Sequence, residues 1–379
     1  MTVLIEPGLG RVSGGLRYNR SVADAAHGAI TRHTLSGTWP DPSAQDDAAL
    51  RHLAARFHEP IIVDGLIGCS LGKPLEVTAP VIQLVHAPLA VANPAAQERE
   101  RANLRAASAV VTTSHHAADQ IRDLYGLDAA VAAPGVTPRE PAAGTATGSH
   151  LVCIGALEDN KNQLFLVRVL GALAQAGVDG WHCTFAGPPT DPTYTQRFAH
   201  ACAALPPNSV SVAGELDPQA IDRLLAASDL LLLPSRRETY GMVVTEAASA
   251  AIPALVSANT GAEEALAAGR ALPLAREQWV TALTCWLTDT EYRKRLRDAA
   301  VRYRPGLRTW DDTARALLGA VASGEARPAT EYRKRLRDAA VRYRPGLRTW
   351  DDTARALLGA VASGEARPAT ESPSERNPQ

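Results

Sequence analysis

The sequence predicts an α/β protein built from two Rossmann-like domains that face each other across a cleft. Three observations predict it. Apolar runs alternate with alanine-rich helical stretches along most of the 379 residues, the rhythm of parallel strands buried on both faces and their crossover helices. The alternation stops once, at "VTPREPAAGTATGSH", where Pro, Gly, Thr and Ala accumulate as in a linker. A second strand–helix series then begins, and two such series joined by a linker imply two sheets with ligands beyond the carboxyl ends of their strands.

The expected boundaries are a first domain over 1–135, a linker over 136–150 and a second domain over 151–330. In the first series "TVLIEP", "ITRHTL", "PIIVDGL", "PVIQLVH", "AVVTTS" and "AAVAAPG" read as strands, with helices within 15–29 and 43–57. In the second, "LVCIG", "HCTFAG", "VSVAG", "DLLLLPS" and "IPALVS" read as strands. "LVH", "LVCIG" and "LLPSRRE" all place their polar residues at the carboxyl end.

The C-terminus carries an oddity. "EYRKRLRDAAVRYRPGLRTWDDTARALLGAVASGEARPAT" occupies 291–330 and recurs letter for letter at 331–370. Repeat architectures build a continuous core from three or more units, so a recent duplication or an assembly error fits better than a solenoid. Each copy reads as two helices. Tyr292, Leu296, Ala299 and Tyr303 follow helical spacing, as do Trp310, Ala314, Leu317, Leu318 and Val321, with Thr309 and Asp312 as a capping signal. The first copy keeps the native distance to the preceding domain and is expected to fill the docking site. The second is then a loosely docked helical appendage, and 371–379 a disordered tail. The five basic residues within 291–302 could touch an anionic membrane, but a solvated face is the preferred reading.

Composition narrows the function. Hydrophobic residues make up 46% of the chain and charged residues 21%, with a formal net charge of −1. No global field therefore draws it to nucleic acid or to anionic lipid. The five cysteines are scattered, with neither a CxxC pair nor a Cys/His cluster, which argues against a zinc site or a disulfide framework. "MTVLIEPGLG" lacks the basic segment of a signal peptide, and no run approaches the roughly 18 apolar residues of a spanning helix. A cytoplasmic location is expected. Only four lysines occur, two of them copies of one another, so Lys161 stands out.

The richest stretch is "SRRETYGMVVTEA" at 235–247. Glu238 follows a strand, Gly241 permits a tight turn, and a helix is expected to start near Met242 with Glu246 inside it. The start of that helix, with its unpaired N–H groups, suits a diphosphate, and a carboxylate on either side could accept hydrogen bonds from sugar hydroxyls. The spacing alone equally allows a helix N-terminal charge at Glu238 and a solvated helix residue at Glu246.

The surroundings decide between these readings. Residues 216–266, "LDPQAIDRLLAASDLLLLPSRRETYGMVVTEAASAAIPALVSANTGAEEAL", resemble the retaining glycosyltransferases of family 4, which have the GT-B fold. The matching positions are Pro234, Ser235, Glu238, Gly241, Glu246, Pro253 and Gly261. Weaker similarity lies in "SGGLRYN" (Gly14 and Gly15), "LVHAP" (His86), "VVTTSHHAADQI", "AAPGVTP", "LVCIGALEDNKNQLFLV" (Lys161) and "TWDDTARALL". The resemblance implies a hexosyl transfer from a nucleotide diphosphate-sugar to an acceptor hydroxyl with retention, without metal or other cofactor. It implies that Glu246 binds the donor ribose and Glu238 the transferred sugar. Backbone N–H groups around Tyr240, Gly241 and Met242 would hold sugar and phosphate, and Lys161 the leaving diphosphate. His86 would reach the sugar from the other domain, while Gly14 and Gly15 would let the first loop approach the phosphates. The acceptor, whether small molecule, glycan or lipid-linked, would meet variable loops such as 8–16 and 67–80.

One position departs from the family pattern. An arginine is usual directly after the phosphate-loop glycine, and this chain has Ala156. Arg236 or Arg237 could substitute. If neither does, the chain is a nucleotide-sugar-binding protein with impaired turnover; an epimerase on the same fold has no support in the sequence. "GLGRVSGG" gives GxGxxS and no acidic residue closes "ITRHTL", which disfavours a nicotinamide site. His115 and His116, after a helix cap at Ser114, read as surface residues. Asp64 at the end of "IIVD" reads as a turn residue, with an acceptor contact as the alternative.

Overall fold

The computed structural model describes residues 1–10 and 13–325. The expectations for 331–370 and 371–379, and for Arg11 and Val12 of the 8–16 loop, lie outside the described residues.

Two six-stranded sheets, parallel throughout, form within one compact unit, Met1–Glu325. The first contains β1 (Thr2–Gly8), β2 (Ile30–Ser36), β3 (Ile61–Asp64), β4 (Val81–Val85), β5 (Ala109–Thr112) and β6 (Ala130–Val131), in the order β2-β1-β3-β4-β5-β6. The second contains β7 (His150–Ile154), β8 (His182–Ala186), β9 (Val210–Gly214), β10 (Leu230–Leu233), β11 (Ala254–Ser257) and β12 (Gly269–Leu272), in the order β12-β11-β10-β7-β8-β9. β12 has no counterpart among the strands read from the sequence. "GRAL" pairs only with β11, and a short edge strand has no need of an apolar run.

The strand orders locate the crevices. In the first sheet the chain runs outward from β1 to β2 and returns to β3 on the other side of β1. In the second it runs β7-β8-β9 and returns to β10 on the other side of β7. Loops diverge at such switch points and leave a hollow beyond the carboxyl ends. The hollows therefore lie after β1 and β3 in one sheet, and after β7 and β10 in the other.

Burial follows the expected pattern. Leu4, Ile62, Ile82 and Val111 face the helix Gly14–Ala25 on one side of the first sheet, while Val3, Ile5, Ile61 and Val63 face the other. In the second sheet Leu151, Cys183, Leu230 and Leu255 pack beneath Trp279 and Trp286. The chain from 132 to 149 has neither helix nor strand.

The first copy of the duplicated segment divides its two helices. Thr290–Tyr303 lays Tyr292 and Leu296 on the second sheet's core. Trp310–Glu325 crosses to the first sheet, where Ala314, Leu317 and Val321 join Leu4, Tyr18 and Val22. The closing helix thus packs in the core of the first sheet. Thr309 and Asp312 form the expected reciprocal cap, Asp312 N–H to Thr309 Oγ1 at 3.2 Å and Thr309 N–H to Asp312 Oδ2 at 3.0 Å. Tyr303 departs from the predicted apolar stripe: it is 59% exposed, and Ala300 takes the buried place. Of the five basic residues, Arg293 donates to the Trp286 carbonyl, Arg297 pairs with the buried Asp229, and Lys294 pairs with Asp298. Arg293 and Arg297 thus have structural partners, while the Lys294–Asp298 pair lies on the surface.

Two chain crossings join the sheets side by side. Val136 N–H donates to the Arg308 carbonyl at 2.9 Å and Thr313 Oγ1 to the Ala133 carbonyl at 2.8 Å. Gly135 is required there, because a Cβ would lie 2.3 Å from the Thr309 carbonyl carbon.

Candidate functional site

The second sheet's switch point holds the carboxylate that opens "ETYG". The loop after β10 lies against the loop after β7 through a ladder of polar contacts. Arg236 N–H donates to the Asn160 carbonyl at 2.7 Å, Arg237 N–H to Asn160 Oδ1 at 3.1 Å, and Asn162 Nδ2 to the Pro234 carbonyl at 3.1 Å. This ladder brings Lys161 Nζ to 2.7 Å from Glu238 Oε2, which also accepts from Ser235 Oγ at 3.2 Å. Both side chains are mostly buried. Burial alone would push the Lys161 ammonium down; the Glu238 carboxylate, helped by Glu158, outweighs it and the net shift is upward.

Two glycines shape the loop. Gly241 has φ +80°, a left-handed turn that reverses the chain into the helix Met242–Ser249. No side chain among the described residues caps that helix, so its first N–H groups are left for a ligand. Gly261 lies under the loop, donates its N–H to the Glu238 carbonyl at 2.8 Å, and has no room for a Cβ, which would sit 1.8 Å from the Thr239 oxygen. Its place in the quoted pattern thus has a packing cause. Burial pushes the Tyr240 hydroxyl up to about 12, so it stays protonated at neutral pH.

Glu246 is 6% exposed, and its carboxylate forms an ion pair with Arg17 of the helix Gly14–Ala25, across the cleft. The two helices meet near their starts: a Cβ on Gly14 would lie 3.7 Å from Met242 Cε. In this arrangement a guanidinium holds the carboxylate that the resemblance assigns to the donor ribose. Arg236 and Arg237, the two candidates to stand in at Ala156, both have protein partners. Arg236 Nε lies 3.1 Å from Asp159 Oδ2, and Arg237 Nη1 donates across the cleft to the Val91 carbonyl at 3.2 Å. The Ala156 carbonyl accepts from Gln163 Nε2 at 2.8 Å.

The first sheet's switch point holds a second polar cluster. Asp64, at the end of β3, caps the turn Gly65–Gly68 by accepting from Leu66 N–H at 2.9 Å, in line with its turn reading. Asn19 Nδ2 donates to Asp64 Oδ2 at 2.8 Å, and His86 Nε2 lies 3.0 Å from Asn19 Oδ1 and 3.4 Å from Asp64 Oδ2. Burial would push the Asp64 carboxyl up; His86, Leu66 N–H and Asn19 together hold it below the usual carboxylate range. Gly15 lets the helix approach this ring, since a Cβ there would stand 3.0 Å from His86 Cδ2.

His115 is mostly exposed, as expected, and its N–H and Nδ1 meet the Glu264 carboxylate at 2.8 and 2.9 Å. Arg17 and Asn19 were not singled out by sequence reasoning. Asn19 left a signal, being a polar residue within the buried stripe Tyr18, Asn19, Val22 and Ala23, where an unpartnered amide would be costly. Arg17 left none, because its partner lies in another helix of the other sheet's layer.

Comparison with known proteins agrees with this architecture. Residues 144–302 match the model of the family "Glycosyl transferases group 1". A D-inositol 3-phosphate glycosyltransferase of Stackebrandtia nassauensis is 33% identical over 121 residues, covering 30% of this chain and 27% of that protein. The chain matches only about a quarter of the length of such curated relatives. The crystal structure of Anabaena Alr3699/HepE in complex with UDP and glucose superposes with a TM-score of 0.71 at 15% identity, covering 85% of this chain and all of that one. WaaG, a glycosyltransferase involved in lipopolysaccharide biosynthesis, gives 0.65 at 16% identity over 83% of this chain and 98% of that one. At such identities the structural likeness carries the fold. The described residues have the GT-B fold, and residues 144–302 within them match the glycosyl transferases group 1 family.

Proposed function

We propose that the protein transfers a hexosyl group from a nucleotide diphosphate-sugar to an acceptor hydroxyl, with retention and without a metal ion. The observation that carries the reading is the Lys161–Glu238 pair beside the uncapped start of the helix Met242–Ser249. A departing diphosphate needs positive charge where it develops. A lysine and a helix N-terminus supply it without reorganisation at the moment of reaction.

The roles follow the geometry. Lys161 and the N–H groups of Tyr240, Gly241 and Met242 take the diphosphate, and Gly14 and Gly15 admit it from the opposite side. Glu238 accepts from hydroxyls of the transferred sugar. Its carboxylate is already held by Lys161 and Ser235, which suits positioning and electrostatic support better than the nucleophile's part in paired-carboxylate hydrolases. The leaving phosphate then takes the acceptor proton on the face it vacates. Glu246 accepts from the ribose diol once Arg17 yields it, and His86 contacts the sugar from the first domain. Arg236 and Arg237 act by bracing the donor loop through Asp159 and Val91.

A second reading is favoured by Ala156 together with the engaged Arg236 and Arg237: a protein that binds nucleotide-sugars and turns them over poorly. Release of UDP, GDP or ADP from the corresponding sugar nucleotides decides between them. UDP is tried first because structures of similar fold hold UDP and UDP-glucose. Transfer predicts release by the wild type and its loss in Glu238→Ala. Binding of the nucleotide without release from any donor would leave the second reading standing.

A further inference from the structure

We infer that Asn19 and Asp64 are positioning residues that lock His86 with its proton on Nε2, so that Nδ1 is the nitrogen the ring offers to a sugar hydroxyl. The hydroxyl-bearing ligand rests on the glycosyl-transfer reading; the tautomer rests on geometry alone.

The geometry leaves one assignment. An ionised carboxylate only accepts hydrogen bonds, so the Asn19 group that faces Asp64 at 2.8 Å is its NH2. The amide oxygen then faces His86 Nε2 at 3.0 Å. Asp64 Oδ2 lies 3.4 Å from the same nitrogen. Both neighbours of Nε2 are acceptors, and Nε2 must donate. Turning the amide over would not free it, because the carboxylate remains beside the ring and would then face the amide oxygen as well. A neutral imidazole with Nε2 protonated keeps its lone pair on Nδ1.

The surroundings give that lone pair a direction. A Cβ on Gly15 would stand over the ring face at Cδ2, and the Tyr18 ring lies at a centroid distance of 5.1 Å, inclined by 75°. Among the described residues the polar partners of the ring, Asn19 and Asp64, both meet Nε2, and none bonds to Nδ1. Asn19 and Asp64 are 0% and 2% exposed, while the His86 side chain is 20% exposed. Of the three, only His86 can meet a ligand. The other two act through it, as a buried carboxylate orients a reactive imidazole elsewhere. Their chain positions suit this role, since Asp64 ends β3 at the switch point and Asn19 lies on the buried stripe of the helix that follows β1.

Nitrogen-15 histidine spectra test the inference without turnover. The wild type is expected to show His86 in the Nε2–H form, and Asp64→Asn and Asn19→Ala a mixture of tautomers. Asp64→Asn keeps an acceptor for Leu66 N–H; should it fail to fold by circular dichroism, Asn19→Ala carries the test. UDP-glucose moving the Nδ1 resonance where UDP does not assigns the hydroxyl to the donor sugar. A shift that needs UDP together with glucose assigns it to the acceptor side, and no shift with either overturns the ligand contact. In turnover, each variant is expected to lower kcat about 10- to 100-fold, the scale of losing an orienting partner, with the donor KM within about threefold. An Nδ1–H wild type, or folded variants with unchanged tautomer and kcat, overturns the assignment. Absence of nucleotide release from every donor removes the transfer reading and leaves the tautomer test standing.

Discussion

Glu238 and Glu246 belong to one loop and the helix it leads into, with seven residues between them, yet they are neutralised in opposite ways. Glu238 is paired by Lys161 from the adjacent loop of its own sheet, and the two loops are braced by Asn160 and Asn162. Glu246 is paired by Arg17 from the other side of the cleft, and that arginine side chain is 52% exposed. The first pair persists however the two sheets move; the second exists only while they are close. One pair is therefore preorganised within its own sheet, and the other depends on the approach of the two sheets.

Removing Lys161 breaks the comparison most severely. Lys161→Met strands a mostly buried carboxylate and removes the cation that pairs with it. Donor turnover is expected to fall at least about 100-fold, and stability in urea to fall by about 1–3 kcal/mol, the cost of an unsatisfied buried group. A loss no larger than that of an Arg17 variant would show that the pair within one sheet is not the preorganised one.

The same pair has a pH signature of intermediate size. The folded-state pKa of Lys161 is raised above 10.5, so its stabilisation is complete below that value and fades as the pH climbs through the folded pKa. The wild type should keep its advantage over Lys161→Met from neutral pH to about 10 and lose it beyond. An advantage that vanishes between pH 7 and 9 would contradict the pairing.

The smallest effect belongs to Arg17. With its arginine half exposed, the pair is expected to be worth about 1 kcal/mol and to be partly screened by salt. Arg17→Ala is expected to tighten UDP binding by about two- to fivefold, because the ribose no longer displaces a guanidinium. The gain should shrink at high salt. Weaker binding in titration calorimetry would mean that Arg17 itself holds the nucleotide.

Much of the architecture was legible in the sequence because it depends on local, periodic signals. Burial on both faces makes "LLLL" and "IIVD" strands in any context, and Gly241 marks a left-handed turn wherever a chain reverses into a helix. Edge strand β12 was missed for the complementary reason, since little is buried there to leave an apolar run. The Glu238 loop was readable because its residues are contiguous. Arg17, Asn19 and the docking of the closing helix on the first sheet were not, because their partners lie far along the chain and only the folded sheets bring them together.

By itself the sequence determined the strands and helices, the hollows beyond β7 and β10, and the residues that gather in "SRRETYGMVVTEA". Only the tertiary structure decided who neutralises whom. Lys161 and Glu238 are 77 positions apart, Arg17 and Glu246 229, Asn19 and Asp64 45. Backbone propensity and hydrophobic period act over a few residues, whereas an ion pair or a buried hydrogen bond needs two atoms within hydrogen-bonding distance. A switch point within one sheet sets that distance for the first and third pairs, and the approach of the two sheets sets it for Arg17 and Glu246.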